Sequence, residues 1–313
     1  MSEAGTDDRV EPRPYQGSVL TKLAGQQTWF TEYHFSGERP RELTLSYQYA
    51  VSRQHARTRS QYQEMAVLEN PVWGRNLVID GFMMATEHDE RTYHEMLAHV
   101  PLTMHPAPRD ILIIGGGDGG LAREVLRHPS ARQVDLVELD AQVVEICRRH
   151  LPSMGQAFDD PRLRCHFTDG AAFVHRTSAR YDAILIDSTD PLGPGKVLYQ
   201  APFYADCQRR LNPGGLFAAQ GLSPWLQQEE QDSMFAVLRQ VFGNVRPFLT
   251  TVPTYMGGLW VFALAGDRDL DPEDFDRARA DQLASGGQYY NADMHHAAFC
   301  LPTFLRRRLL SEN

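Results

Sequence analysis

Apolar positions along this chain follow two different periods, and the change falls near residue 100. Between residues 27 and 87 the text is strand-like. Leu43-Thr-Leu-Ser-Tyr-Gln-Tyr-Ala-Val51 alternates, and Met65-Ala-Val-Leu68 and Asn76-Leu-Val-Ile79 follow, with breaks at Asn70-Pro71, Gly74 and Asp80-Gly81. Alternation with period two marks half-buried strands, and Asp-Gly between apolar runs is a strong hairpin signal. A small antiparallel β domain is expected here. A helix is expected over 89–100, with Thr86 as its N-cap and Pro101 beyond its end.

From Asp110 the apolar runs become short and continuous. Ile111-Leu-Ile-Ile114 has no polar alternation, as a strand covered by helices on both faces requires. Further strands are expected at 134–139, 163–167, 183–187, 216–220, 245–251 and 259–265, and helices are clearest at 141–151 and 227–242. Val143, Val144, Ile146, Cys147 and Leu151 form a stripe at helical spacing and belong to the core. Seven strands with intervening helices predict an α/β fold with a doubly wound, Rossmann-type sheet and its ligand at the carboxyl ends of the strands. After Asp267 two further helices are expected around the turn Ser285-Gly-Gly287. Residues 1–24 read as a disordered polar tail. The expected organisation is therefore a tail over 1–24, an N-terminal β domain with a linking helix over 25–100, and a catalytic domain over 101–313.

Composition narrows the function classes. The chain has 313 residues and a formal net charge of −9. That charge argues against a nucleic-acid surface and is compatible with attracting a polycation. Four cysteines without a CxxC pair suit a reduced, cytoplasmic setting. The acidic start lacks the apolar segment of a signal peptide, and no run approaches the length of a membrane span. Twelve histidines form no HExxH or other tight ligand cluster, so no metal is expected.

Candidate chemistry gathers at strand ends. Gly115-Gly-Gly-Asp-Gly-Gly120 follows the first strand of the second region, opens a helix and satisfies GxGxxG. Glu138 ends the next strand, where a carboxylate can take both hydroxyls of a ribose. A dinucleotide-dependent dehydrogenase shares these two features. Asp118 departs from it: a carboxylate inside the turn repels a pyrophosphate, and equally the carboxylate of S-adenosylmethionine. A nucleoside whose chain ends in an amine suits it better. Asp169-Gly170 follows the third strand and is placed to meet an adenine amino group. After the fourth strand, Asp187-Ser-Thr-Asp-Pro-Leu-Gly-Pro194 puts two carboxylates, Asp187 and Asp190, into a proline-stiffened loop suited to a cationic amine.

Together these motifs resemble the spermidine synthase family, the polyamine aminopropyltransferases. The resemblance runs from about Trp29 to the C-terminus. It rests, in order, on Tyr62-Gln63, Asp80-Gly81 with Thr86-Glu87, Tyr93-His94-Glu95-Met96, the glycine turn, Val-Glu138-Leu-Asp140, Asp169-Gly170, the loop 187–194, Asn212-Pro-Gly-Gly215, Gln220, Pro253-Thr-Tyr255 with Gly257-Gly258, and Tyr289-Tyr-Asn291. It implies a seven-stranded methyltransferase-like sheet behind a small β domain, in a homodimer or homotetramer. The implied reaction moves a 3-aminopropyl group from decarboxylated S-adenosylmethionine, a co-substrate rather than a cofactor, to a diamine, most often putrescine. By the same resemblance Gln63, Glu138, Asp169, Gly170 and Pro194 hold the nucleoside and Asp118 holds the aminopropyl amine. Tyr93, His94, Asp190, Gln220 and Tyr255 line the diamine channel, and Asp187 is the base. Rival readings are an S-adenosylmethionine-dependent methyltransferase, disfavoured by Asp118 and the Asp187/Asp190 pair, and a catalytically idle polyamine or nucleoside sensor.

Overall fold

A computed structural model describes residues 18–22, 28–36, 42–191 and 193–310. Residues 1–17, most of the expected tail, lie outside them. Residues 23 and 24 lie outside them too, but between these Ser18–Lys22 is a strand (β1) paired antiparallel with Thr28–Ser36 (β2), which pairs in turn with Glu42–Val51 (β3). A second antiparallel sheet follows, made of Arg53–Arg59 (β4), Glu64–Asn70 (β5), Gly74–Ile79 (β6) and Phe82–Thr86 (β7). Asp80, at φ 48°, and Gly81, at φ 87°, make the expected Asp-Gly turn between β6 and β7. Phe30, Tyr49, Leu68, Val78 and Met83 form the core of this first unit.

The chain divides into two compact units after Ala85, so the helix expected as a link is the first element of the second unit. This helix, α1 (Glu90–Met104), differs from expectation at both ends. Asp89 takes the N-cap position, while Thr86 instead donates its hydroxyl to the Asp89 carboxylate at 2.6 Å. At the other end the helix continues through Pro101. The carbonyls beyond the proline are served from elsewhere in the unit. Arg279 donates to the carbonyls of Leu102 (2.9 Å) and His105 (3.1 Å), Arg268 to that of Met104 (2.9 Å), and the Asp276 N–H to that of Thr103 (2.9 Å). Those bonds satisfy carbonyls that the end of a helix leaves without partners.

The second unit then alternates as expected, through β8 (Asp110–Gly115), α2 (Gly120–Leu126), β9 (Gln133–Glu138), α3 (Ala141–His150), α4 (Pro152–Gly155), β10 (Leu163–Phe167), α5 (Gly170–Arg176), β11 (Tyr181–Asp187), α6 (Ala201–Arg210), β12 (Leu211–Gln220), α7 (Gln228–Val241), β13 (Asn244–Thr251) and β14 (Leu259–Gly266). The seven strands make one sheet in the order β10-β9-β8-β11-β12-β14-β13, with β14 antiparallel to both its neighbours. Ile111 and Ile113 face a core shared with α1 and α2, while Leu112 and Ile114 face one shared with α6 and α7. This two-sided burial explains why β8 shows no polar alternation.

The end of the chain holds three helices rather than two: α8 (Arg277–Ala284), α9 (Ala292–Ala298) and α10 (Thr303–Leu309). The third was hidden by Arg306-Arg-Arg308. Its buried face is Leu305 and Leu309, four residues apart, with Phe304 partly buried beside them and stacked on Trp225. Among the described residues no helix is long and apolar enough to cross a membrane.

The order of strands reverses between β8 and β11, and a sheet of this kind opens a crevice at their carboxyl ends. Gly115 and Asp187, the last residues of those strands, are directly paired. Sheet register therefore places the glycine turn against the first acid of the proline-stiffened loop.

Candidate active site

The turn after β8 is shaped by what it touches. Gly115 has φ 83°, and a Cβ there would lie 2.0 Å from the Asp187 carbonyl oxygen. The neighbouring Gly116 N–H donates to that same carbonyl at 2.9 Å. Only glycine fits so close a backbone approach. At Gly120 a Cβ would fall 2.2 Å from His94 Nδ1, so the imidazole lies directly over the first turn of α2. Asp118 bends back within the turn, its Oδ1 accepting from the Gly120 N–H at 2.6 Å.

His94, Asp118 and Asp187 converge, one polar atom from each lying within 4.8 Å of the others. His94 Nε2 is 3.6 Å from Asp118 Oδ2 and 3.8 Å from Asp187 Oδ2, and its Nδ1 meets Glu90 Oε2 at 2.6 Å. Behind Glu90, Arg123 binds both Glu90 (2.8 Å) and Glu124 (2.7 Å) and donates to the Ser153 carbonyl (2.9 Å). Glu90 and His94 are one helical turn apart on α1, so a single helix face carries the pair.

Electrostatics separates the carboxyls. Burial pushes Asp187 up to about 6; the charge of His94 and the Tyr93 hydroxyl pull it down, and Asp118 adds to the rise. Its Oδ2 is buried without a hydrogen-bond partner. For Asp118 burial also acts upward, but the His94 imidazole and the Gly120 N–H outweigh it and hold the acid below the usual range. Burial works against a charge on His94, yet Asp118 and Glu90 raise its pKa well above the ordinary histidine value. Glu138, at the end of β9, is driven up to about 7 by burial, against the Asp140 N–H that donates to it at 3.0 Å.

Tyr93 and Tyr255 stand beside this cluster with ring centroids 6.0 Å apart. Burial first, and the nearby Asp187 second, push both phenols well above their usual range. The loop carrying Tyr255 is pinned to the start of α1, because Asp89 Oδ2 accepts from Thr254 N (2.9 Å) and Oγ1 (2.7 Å). Asp190 and Gln220 form a second group. Gln227 Nε2 donates to Asp190 Oδ2 at 2.6 Å, and burial lifts Asp190 to about 6 against its bonds to Gln227 and Gln220. Gln220 donates to the Ser188 carbonyl (3.3 Å) and to the Tyr199 hydroxyl, and accepts from Leu222 N (3.2 Å).

Other expected residues stand apart from these groups. Asp169 is exposed and caps α5, accepting from Ala172 N at 2.7 Å, with Gly170 as the first residue of that helix. Pro194 belongs to the short 3-10 helix Gly193–Tyr199. Gln63 is in the first unit, in the turn between β4 and β5, where its N–H donates to Ser60 Oγ at 3.1 Å. Four partners in the second unit had not been singled out from sequence: Glu90, Arg123, Tyr199 and Gln227. Glu90 carried a usable signal, its spacing of four residues from His94 on a helix. The others meet their partners only through tertiary packing.

A glycine turn paired in register with an acid-bearing loop, at the carboxyl ends of a sheet of this order, defines an acid-lined crevice where doubly wound α/β enzymes bind their ligands. Comparison with known proteins places it more closely. A model of the spermine/spermidine synthase domain matches residues 90–274. The polyamine aminopropyltransferase of Sodalis glossinidius (strain morsitans) is 44% identical over 252 residues, 79% of this chain and 88% of that protein. That of Moorella thermoacetica is 42% identical over 281 residues, 90% of this chain and 96% of that one. Among solved structures, spermidine synthase in complex with the transition-state analogue AdoDATO superposes with a TM-score of 0.85 at 35% identity, covering 93% of this chain and 97% of that one. Spermidine synthase from Thermotoga maritima gives 0.83 at 35% identity, with 93% and 96% covered. The chain belongs to the spermine/spermidine synthase family. It is an enzyme of polyamine biosynthesis that transfers aminopropyl groups, which sets aside the methyltransferase and idle-sensor readings.

Proposed function

We propose that this enzyme moves the 3-aminopropyl group of decarboxylated S-adenosylmethionine to putrescine, giving spermidine and 5′-methylthioadenosine, with Asp187 as proton acceptor. The observation that carries the reading is the Asp187 carboxyl: buried, without a partner on Oδ2, and facing His94 and Asp118 across the strand-end crevice. A chain with this fold that holds the analogue AdoDATO supports it.

The sulfonium is a built-in leaving group, so the protein's task is to present a neutral amine behind the carbon under attack. An alkylamine has a pKa of about 10.4, and freeing its lone pair at pH 7 costs roughly 4.6 kcal/mol. A carboxyl lifted to about 6 accepts that proton about 3 kcal/mol more readily than one at its ordinary value. Asp187 takes one proton from the ammonium, the freed nitrogen lone pair forms the new C–N bond, and the product nitrogen stays as a secondary ammonium. The C–S bond breaks with its electron pair on sulfur, leaving a neutral thioether.

In this reading Glu138 takes the ribose hydroxyls, and Asp169, Gly170 and Pro194 complete the nucleoside contacts within the second unit. Asp118 holds the aminopropyl ammonium, and Tyr93, His94 and Tyr255 wall the acceptor channel. The bonds from Gln227 and Gln220 to Asp190 favour a loop-shaping part for Asp190, with Gln220 beside it. A cytoplasmic homodimer or homotetramer without metal or further cofactor completes the proposal.

Asp118 supplies the test. S-adenosylmethionine carries a carboxylate that its decarboxylated form lacks, and like charges brought together in a buried site cost several kcal/mol. S-adenosylmethionine is expected to bind at least about a hundredfold more weakly in a calorimetric competition. Equal affinities would contradict the reading.

Glu138 gives a second expectation. Ribose hydroxyls donate to the ionised carboxylate, so nucleoside binding lowers a pKa that burial has raised. Affinity for 5′-methylthioadenosine should climb as pH rises through about 7 and level off above it, by up to about tenfold per pH unit on the rising limb. Glu138→Gln should flatten the profile. A flat wild-type profile would remove Glu138 from the ribose.

A further inference from the structure

His94 poses a problem that the reaction does not explain. A group placed to line a channel for cations is itself held as a cation, between three carboxylates. Glu90 meets it from its own helix, Asp118 from the glycine turn and Asp187 from the end of β11. Arg123, from α2, faces Glu90 from the other side, and the Tyr93 ring packs edge-on against the imidazole with centroids 5.3 Å apart. His94 is 3% exposed and Glu90 1%, so water does little to screen these charges.

Charge matching across the cluster has a consequence for binding. Behind the cluster Arg91, Arg123 and Arg127 match Glu90, Glu95 and Glu124. Asp118 and Asp187 remain, and the imidazolium matches one of them. Decarboxylated S-adenosylmethionine brings two cations, its primary ammonium and its sulfonium. With His94 charged, three cations would face two carboxylates in a buried site; with His94 neutral, two face two. An unmatched buried charge costs several kcal/mol, and cations that take over Asp118 remove the attraction that holds the proton on His94, so that proton is the charge that leaves. The ring is already oriented for the exchange. A proton retained on Nδ1 stays bonded to Glu90, and Nε2 then offers its lone pair toward Asp118 and Asp187, where an ammonium N–H can donate to it.

Building on the aminopropyl-transfer reading, we propose that the proton on His94 Nε2 is a resident counter-ion that leaves to solvent when the aminopropyl ammonium binds. Glu90 is then a positioning residue, which fixes the surviving tautomer. The enzyme thereby keeps its paired acids compensated before the donor arrives and presents an acceptor once it has. Donor affinity rises with pH in the range between the His94 pKa of the donor complex and that of the free enzyme. It levels off above the latter.

Proton release measured by calorimetry tests this directly. Decarboxylated S-adenosylmethionine is titrated in phosphate and in Tris at a pH of about 7.5, where carboxyls that titrate near 6 are already ionised. 5′-Methylthioadenosine, which has the same nucleoside but neither cation, gives the baseline and cancels any proton from Glu138. The donor is expected to release about one proton more than methylthioadenosine, and in His94→Gln this excess should vanish while methylthioadenosine still binds. Equal release by the two ligands in the wild type would overturn the proposal, as would an excess that survives in His94→Gln. Failure of the donor to bind at all would overturn the aminopropyl-transfer reading itself, and the proposal with it.

Discussion

Asp187→Asn is expected to lower kcat by about 10²- to 10⁴-fold, the range over which a positioned general base contributes. Its affinity for 5′-methylthioadenosine should stay within about twofold of wild type. The separation follows from where the two halves of the residue act. The Asp187 main chain is structural: its carbonyl accepts from Gly116 N, and its backbone pairs with Gly115. The side chain has no such duty: Oδ2 has no hydrogen-bond partner, and the groups facing the carboxyl are the His94 imidazole at 3.8 Å and the Tyr93 hydroxyl. Asparagine keeps the shape and removes a buried, raised-pKa acid, so the fold should lose nothing. What disappears is the acceptor for the amine proton. Steady-state rates alongside a methylthioadenosine titration check both halves. Turnover near the wild-type rate would show that another group takes the proton.

Arg123→Leu is expected to destabilise the enzyme by about 3–5 kcal/mol, read from urea unfolding with the nucleoside absent. Arg123 is 9% exposed and bonds to Glu90 and Glu124, whose side chains are 1% and 0% exposed. Leucine fills some of the volume but leaves Glu90 with only its longer guanidinium contact, to Arg91 at 3.8 Å, and removing the closer member of a buried ion pair is costly for that reason. Arg127 and His99 still contact Glu124, so the damage centres on Glu90 and passes to His94. Arg149→Ala is the control. Its pair with Glu145 is 68% and 67% exposed and should contribute less than about 1 kcal/mol. A comparable loss in the two variants would deny the buried network any special part.

Much of this was legible in the sequence because the physics is local. The continuous run Ile111-Leu-Ile-Ile114 announces a strand covered on both faces. The glycine turn announces a close backbone approach, and the spacing to Glu138 marks the next strand end. Asp187, His94 and Asp118 were each singled out from the sequence, and the structure brings them together. Less legible was anything decided by a distant partner. The extension of α1 past Pro101 depends on Arg268 and Arg279, more than 160 residues later in the chain. Strand β4, Arg-Gln-His-Ala-Arg-Thr-Arg, has no apolar alternation and is held by its pairing with β5. The C-terminal helix α10 shows only two buried leucines beside three arginines. In the site, Gln227 and Tyr199 are reached only once β11, β12 and the loops after them are folded side by side.

Identification of the products bears most directly on the central claim. The enzyme is incubated with decarboxylated S-adenosylmethionine and, separately, putrescine, cadaverine, agmatine and spermidine, and the mixtures are resolved by mass spectrometry. Putrescine is expected to give spermidine and 5′-methylthioadenosine in equal amounts, formed at least about a hundredfold more slowly by Asp187→Asn. A methylated amine formed from S-adenosylmethionine, or no aminopropylated product from any acceptor, would contradict that claim.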